Sequence, residues 1–320
     1  MRLLAALPHY PPTSRVGAWL ATHQLLAHLA ARGHAVTVTT SLGQPGRYTL
    51  DGVAVRPLTR PRTLMAHHDV VLSHLGGELA IADQARRHGL PHVVSAHGAD
   101  RFNQHRLERM NPHLLIANSG TLMESLRWDG HAAVLPPTVW PDQFPPAAGG
   151  DAITLVNVTE AKGSSTFYAL AAAHPHRRFL GVRGGYGIPD ERALPNVELI
   201  DTVQDMREVY ARTRVLLMPS AAETYGMVGI EALCSGIPVL AHPTPGLRES
   251  LAEAGRFAHR DDIDAWTRHL VDLDDPDEYS ATSVAARARV ARLTPAADLD
   301  RVADLIESLT TQGADRAAVS

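Results

Sequence analysis

Two glutamates, Glu223 and Glu231, stand with seven residues between them in the run VLLMPSAAETYGMVGIEALCSGIPVLAHPTPGLRE, residues 215–249. The run reads as a strand ending at Pro219, a loop of small residues, and a helix opening near Tyr225 or Gly226. On that reading the backbone amides of Gly226, Met227 and Val228 project from a helix start with the positive end of the dipole behind them, an anion site suited to a diphosphate. Gly226 would let the backbone come close to a ligand. Glu223, on the loop, can accept hydrogen bonds from the hydroxyls of a sugar. Glu231, well over one turn into the helix, can accept from both hydroxyls of a ribose. An isolated pair of this spacing would be two solvated helix-end carboxylates; the strand, loop, helix and strand around it argue for chemistry.

Three further stretches carry polar groups at strand ends, where an open α/β sheet binds its ligands. NVTEAKG places Asn157, Lys162 and Gly163 after the first strand of the second half, and FLGVRGGYG places Arg183 after the next. The RGGYG run lacks G-x-G-x-x-G spacing, so no dinucleotide fingerprint is present. In the first half, HYPPTSRVGA brings Gly17 to the opening of a helix, and SAHGAD puts His97 at the end of a strand.

Other signals point elsewhere. Asp272-Leu273-Asp274 is a D-x-D, but it ends a helix expected over Ile263–Leu273 beside Asp275, Asp277 and Glu278, so solvated carboxylates are the simpler reading. His67-His68 is not at a helical ligand spacing, and no HExxH or CxxC accompanies it, so no metal site is expected. Cys234 lies among small residues as an inert buried thiol. No G-x-S-x-G elbow supports a hydrolase. Arg56, Arg60 and Arg62 form a small basic cluster that reads as a solvated loop.

Positioning these groups requires parallel sheets. The chain of 320 residues, 45% hydrophobic and 20% charged, has the composition of a globular protein with room for two domains. Its formal charge of −4 gives no call for nucleic acid or an anionic surface as partner. One cysteine rules out an internal disulfide framework and, with no leader-like N-terminus, reads as cytoplasmic. Short Val/Ile/Leu runs alternate with amphipathic stretches almost throughout, the pattern of repeated βαβ units. Strands are expected at Leu3–Leu7, Ala35–Thr39, Val53–Pro57, Val70–Ser73, His92–Ala96 and Leu114–Asn118, then at Ala152–Val158, Arg178–Val182, Val197–Ile200, Val215–Met218 and Pro238–Ala241. A helix is expected over Ala18–Arg32. LPPTVWPDQFPPAAGG, residues 135–150, is too rich in proline for a regular element. The expected organisation is therefore an α/β domain over 1–140, a linker over 141–150, a second α/β domain over 151–293, and a helix and tail over 294–320 opened by Thr294-Pro295.

The 215–249 run resembles the donor-binding core of the retaining glycosyltransferases of the family 4 type (glycosyl transferases group 1), which have the GT-B fold: two Rossmann-like domains facing across a cleft. The resemblance is dense over those residues and looser over most of the chain. It implies that Glu223 and Glu231 are the family's pair of glutamates, that Lys162-Gly163 belongs to its phosphate loop, and that Gly17 and His97 lie near the donor phosphates and the transferred sugar. Relatives carry an arginine five or six positions before that lysine. Here Asn157 or Val156 takes its place, and Arg183 is the candidate replacement.

The resemblance further implies transfer of a hexose-type sugar from a UDP- or GDP-sugar to an acceptor hydroxyl, with retention and without a catalytic metal or other cofactor. Lys162, the helix amides and, as the candidate replacement for the missing arginine, Arg183 would stabilise the leaving diphosphate, while Glu223 and His97 orient the sugar. Acceptor contacts are expected from His9, Tyr10, Arg15, His67, His68, Arg101 and Asn103. These do not distinguish a small molecule, a glycan, a lipid-linked sugar or a modified DNA base. A nucleotide-sugar epimerase or hydrolase, and a non-catalytic nucleotide-sugar-binding relative, are the rival readings.

Overall fold

The chain forms two α/β units, the first made of Met1–Thr138 with Thr294–Ser320 and the second of Val139–Leu293. The computed structural model describes every residue except 15, 43–45, 58–64, 78, 99–100, 148, 186 and 318–320; of residues 101 and 311–317 it describes the backbone alone. Arg15, Arg60, Arg62 and the Arg101 side chain therefore lie outside the described residues.

In the first unit, β1 (Arg2–Leu7), β2 (Ala35–Thr40), β3 (Tyr48–Leu50), β4 (Val53–Pro57), β5 (Val70–His74), β6 (His92–Ala96), β7 (Leu114–Ala117) and β8 (Ala132–Val134) form one sheet in the order β3-β4-β2-β1-β5-β6-β7-β8. Its pairs are parallel except β3 with β4. The central strand is apolar without alternation, since Leu3, Leu4, Ala5, Ala6 and Leu7 are all buried, as a strand covered on both faces must be. Helices Gly17–Ala31, Leu79–Arg87, Arg101–Met110 and Gly120–Ser125 occur along the connections.

In the second unit, β9 (Ala152–Val156), β10 (Phe179–Val182), β11 (Val197–Ile200), β12 (Thr213–Met218), β13 (Val239–Ala241) and β14 (Gly255–Phe257) form a parallel sheet in the order β11-β10-β9-β12-β13-β14. The chain leaves β9 toward one edge, returns, and leaves β12 toward the other. β9 and β12 are thus the point at which the strand order reverses, the place where open α/β sheets bind their ligands. Helices Ser164–Ala173, Met206–Tyr210, Met227–Cys234, Pro245–Leu251, Ile263–Asp272 and Pro276–Val290 complete the unit.

The expected strands are present with small shifts at their ends. β3, β8 and β14 were not expected: each has three residues and an edge or near-edge place, too short for a period-2 pattern to register. The proline-rich stretch is not a free-standing connector. Val139 is buried in the second core, the Phe144 ring meets Tyr210 edge-on at 5.8 Å, and Ala147 donates its N–H to the Ser235 carbonyl at 2.9 Å. The last helix, Pro295–Ala317, takes up most of the stretch expected to hold a helix and tail. It belongs with the first unit, burying Leu299, Val302, Ala303 and Ile306 at the three-and-four spacing of one helical face.

Arg32 fastens that helix from the first unit's side. Its guanidinium pairs with Asp300 at 3.3 Å, Asp304 at 2.6 Å and Glu307 at 3.0 Å. The apolar face contributes more than these charges, because half-exposed ion pairs are screened by solvent. Ile306→Ala is expected to lower stability by about 2–5 kcal/mol in urea unfolding, while Arg32→Ala has a smaller effect that fades in high salt. A loss under about 1 kcal/mol at Ile306 would contradict the docking of the helix.

Candidate functional site

β9 and β12 are hydrogen-bonded neighbours, with Val215 opposite Ile153 and Leu217 opposite Leu155, so the loops leaving their carboxyl ends are driven together. Gly163 has φ of 87°, and a Cβ on it would stand 2.5 Å from both Cγ and the carbonyl oxygen of Pro219. Only glycine fits that contact. Ala221 donates its N–H to the Ala161 carbonyl at 2.9 Å across the same seam. The result is an ion pair between Lys162 Nζ and Glu223 Oε1. Ser220 Oγ donates to the same carboxylate oxygen at 3.0 Å. Both side chains are largely covered, at 18% and 14% exposed.

The helix expected near Gly226 begins at Met227, and Gly226 at its N-cap position supplies no side-chain cap. Gly229 N–H bonds the Gly226 carbonyl at 2.9 Å; the amides of Met227 and Val228 precede the first full helical bond and can serve an anion. The need for glycine at 226 differs from the sequence reading. Its φ is 87°, and a Cβ would meet Leu247 Cδ2 at 2.5 Å, so the constraint comes from the core side. Tyr225 is buried, and its carbonyl accepts from Ser250 Oγ at 2.5 Å; it shapes the loop from inside.

Glu231, in the second turn of the helix, is 8% exposed. Its Oε2 accepts a hydrogen bond from the Tyr210 hydroxyl at 2.6 Å. Burial raises its carboxyl to about 7, and the Tyr210 bond partly opposes that rise.

Asn157 follows β9 with φ of 66° and is buried, yet neither Oδ1 nor Nδ2 meets a protein partner among the described residues. Gly184 lies directly over it: a Cβ there would stand 2.2 Å from Asn157 Oδ1. Buried amides without partners are uncommon and expensive. Arg183 lies one residue before Gly184. Its guanidinium pairs with Glu191 at 2.8 Å and Asp201 at 3.0 Å, and the bond to Glu191 raises its pKa above the ordinary arginine value.

In the first unit, Gly17 opens the Gly17–Ala31 helix, and His97 follows β6. The His97 and His74 rings stack at 5.4 Å, 5° from parallel, because His74 ends the adjacent β5, paired with Ser95. His97 Nε2 lies 3.0 Å from Ser95 Oγ and 3.4 Å from Thr22 Oγ1. Burial, then His74, lowers the His97 pKa to about 3, and burial lowers that of His74 to about 4; both rings are neutral at pH 7. His74 Nδ1 accepts from the Gly76 N–H at 3.0 Å, which leaves its proton on Nε2, an atom buried without a partner among the described residues. Trp19 packs against His74 at 4.9 Å and His9 against Trp19 at 6.1 Å.

The remaining sequence candidates divide. Tyr10 is fully buried, and its hydroxyl lies 2.6 Å from His23 Nδ1, which removes it from the expected acceptor contacts. Asn103 donates to the Gly98 carbonyl at 3.0 Å, and His67 and Arg56 are exposed. Asp274 of the D-x-D pairs with Arg177 at 2.5 Å and Asp272 with Arg256 at 3.7 Å. Burial pushes the Cys234 thiol up to about 12, which leaves it unreactive. Sequence reasoning missed Tyr210, His74 and Trp19. His74 had a usable signal, its place at the end of a strand next to the one carrying His97; Tyr210 and Trp19 had none.

Residues 175–275 match the family described as Glycosyl transferases group 1. Among curated proteins, a D-inositol 3-phosphate glycosyltransferase from Nocardiopsis dassonvillei is 26% identical over 294 residues, 72% of this chain and 66% of that protein. The chain spans less than two thirds of the length of the first curated relatives it matches. Among solved structures, sucrose-phosphate synthase from Thermosynechococcus elongatus superposes with a TM-score of 0.80 at 18% identity, over 98% of this chain and 100% of that one. Anabaena HepE in complex with UDP and glucose gives 0.78 at 14% identity, over 96% and 100%. The chain has the two-sheet fold of GT-B glycosyltransferases.

Asn157 yields a test that needs no ligand. Asn157→Gly removes two unpartnered buried polar atoms and suits a positive φ, gains that offset the greater freedom of glycine in the unfolded chain, so stability in urea unfolding is expected to stay within about 1 kcal/mol of wild type. A loss beyond about 2 kcal/mol would contradict an amide without partners.

Proposed function

We propose that the chain transfers a hexose-type sugar from a UDP- or GDP-sugar to an acceptor hydroxyl, with retention of anomeric configuration and without a resident metal. The observation that carries the reading is the meeting of Lys162 and Glu223 at the topological switch of the second sheet, beside the start of the Met227–Cys234 helix. The family match over residues 175–275 takes in Glu223 and that helix, and the UDP and glucose held by HepE, a protein of the same fold, favour a nucleotide-sugar donor.

In this mechanism the donor diphosphate competes with Glu223 for the Lys162 ammonium and takes hydrogen bonds from the Met227 and Val228 amides. Negative charge grows on the leaving diphosphate as the glycosidic bond breaks, and a fixed cation and fixed amides stabilise it at that moment. Glu223, relieved of Lys162, accepts from the sugar hydroxyls and faces a centre that gains positive charge. The acceptor attacks from the side of the departing diphosphate, whose oxygen takes the acceptor's proton; no protein nucleophile is required. His97, in the first unit, is a neutral imidazole able to hydrogen-bond a hydroxyl without adding charge. Arg183 is held at the surface by two exposed carboxylates, pairings weak enough for a diphosphate to displace.

Purified protein supplied with UDP- and GDP-hexoses and candidate acceptors provides the test, with anomeric configuration read by NMR. Glu223→Ala and Lys162→Ala are each expected to lower kcat by about 10²–10³-fold while circular dichroism stays unchanged, and a chelator is expected to leave turnover intact. Near-normal turnover of either variant, or an inverted product, would overturn the assignment.

A further inference from the structure

We propose that Tyr210 is a positioning residue of the donor site, its phenol holding the Glu231 carboxylate in the orientation from which it receives the ribose hydroxyls. The inference rests on the donor reading given above and adds to it a residue that no motif marks.

Tyr210 ends the short helix Met206–Tyr210 and is 1% exposed. Phe144, from the proline-rich stretch, packs its ring edge-on against it. The phenol oxygen lies 2.6 Å from Glu231 Oε2 and 3.3 Å from the Val228 carbonyl. A phenol has one proton. The shorter contact to a carboxylate takes it, since charge-assisted hydrogen bonds are the stronger ones. One hydroxyl therefore touches the helix turn that offers amides to a diphosphate and the carboxylate that faces a ribose. The ring is buried and packed by Phe144, so its hydroxyl is held between those two functions.

The same bond sets the charge of Glu231. Burial favours the neutral acid and Tyr210 favours the carboxylate, with the balance near neutrality, at about 7. Cys234 on the same helix, its thiol raised by burial and then by Glu231, stays protonated. Asp142, Arg248, Glu249, Arg287 and Arg289 lie on elements packed against this helix. Arg248 stacks over the Phe257 ring at 5.0 Å, Arg287 bonds Ser283 Oγ at 2.8 Å, and Arg289 bonds the Ser250 carbonyl at 2.8 Å. Asp142 is exposed, and the hydrogen bond that Glu231 makes is to Tyr210. A carboxylate accepts from both ribose hydroxyls; the acid surrenders one acceptor position to its own proton. Nucleotide affinity should thus fall as pH falls through the Glu231 titration. Loss of the phenol removes a bond to the ionised form, raises the carboxyl further, and moves that fall to higher pH.

Calorimetric titration with UDP, GDP, ADP and dTDP across neutral pH tests this on the full chain, its Tyr210→Phe variant and its Glu231→Gln variant. For whichever nucleotide binds, wild-type affinity is expected to drop on acidification with a midpoint near neutrality. Tyr210→Phe is expected to weaken binding about tenfold, one charge-assisted hydrogen bond's equivalent, with the midpoint moved upward. Glu231→Gln is expected to flatten the profile. A Tyr210→Phe midpoint equal to wild type overturns the inference while the donor reading stands. A pH-independent wild type overturns it even if Tyr210→Phe does not fold. Binding of none of the four nucleotides overturns the donor reading, and the inference with it.

Discussion

Lys162 and Glu223 lie 61 residues apart in the chain, and one feature of topology brings them together. β9 and β12 are neighbours in a parallel sheet whose chain departs to opposite edges from that pair. At such a point nothing covers the carboxyl ends directly, so the two departing loops become each other's wall. Gly163 against Pro219 and the Ala221–Ala161 backbone bond close the seam. Every other feature of the candidate site is placed relative to it: the amides of the Met227–Cys234 helix follow the second loop, and Asn157 and Gly184 follow β9 and β10. The first unit repeats the geometry, with β1 between β2 and β5 and the histidines at the ends of β5 and β6.

The electrostatics of the two units differ in kind. In the second unit opposite charges compensate one another at close range, which lets a lysine and a glutamate stay largely covered; a charge withdrawn from water without a partner costs far more. An anion that binds the lysine shares or competes for its three donors with the carboxylate. In the first unit the polar groups are imidazoles kept neutral by burial. Some local costs stay unrecovered: among the described residues the Asn157 amide has no protein partner at either end, and His74 Nε2 has none. Local rules give way in this fashion where a fold prepares for something other than its own stability.

The strands and the helix behind Glu231 were legible because they are local: apolar runs of strand length, a glycine before a helix, small residues in a loop. What was not legible depends on partners distant in sequence. Gly226 was assigned to ligand approach, but the atom it avoids belongs to Leu247, on another helix. Arg183 sits at a strand end as expected, yet Glu191 and Asp201 engage it, and neither could be paired with it from spacing alone. Tyr10 looked like a loop aromatic and is instead fully buried beside His23. Tyr210 carries no motif; only the fold shows that its hydroxyl reaches Glu231. β14, whose three residues are Gly255, Arg256 and Phe257, had too little pattern to declare itself.

The claim that most of this depends on is that the crevice between β9 and β12 takes a nucleoside diphosphate. Hydrogen–deuterium exchange of the intact protein, with and without a saturating UDP- or GDP-sugar, addresses it residue by residue. The account predicts slowed exchange in residues 157–163 and in the amides of Gly226, Met227 and Val228, with the rest of the second sheet unchanged. Protection elsewhere with those amides unaffected would contradict it.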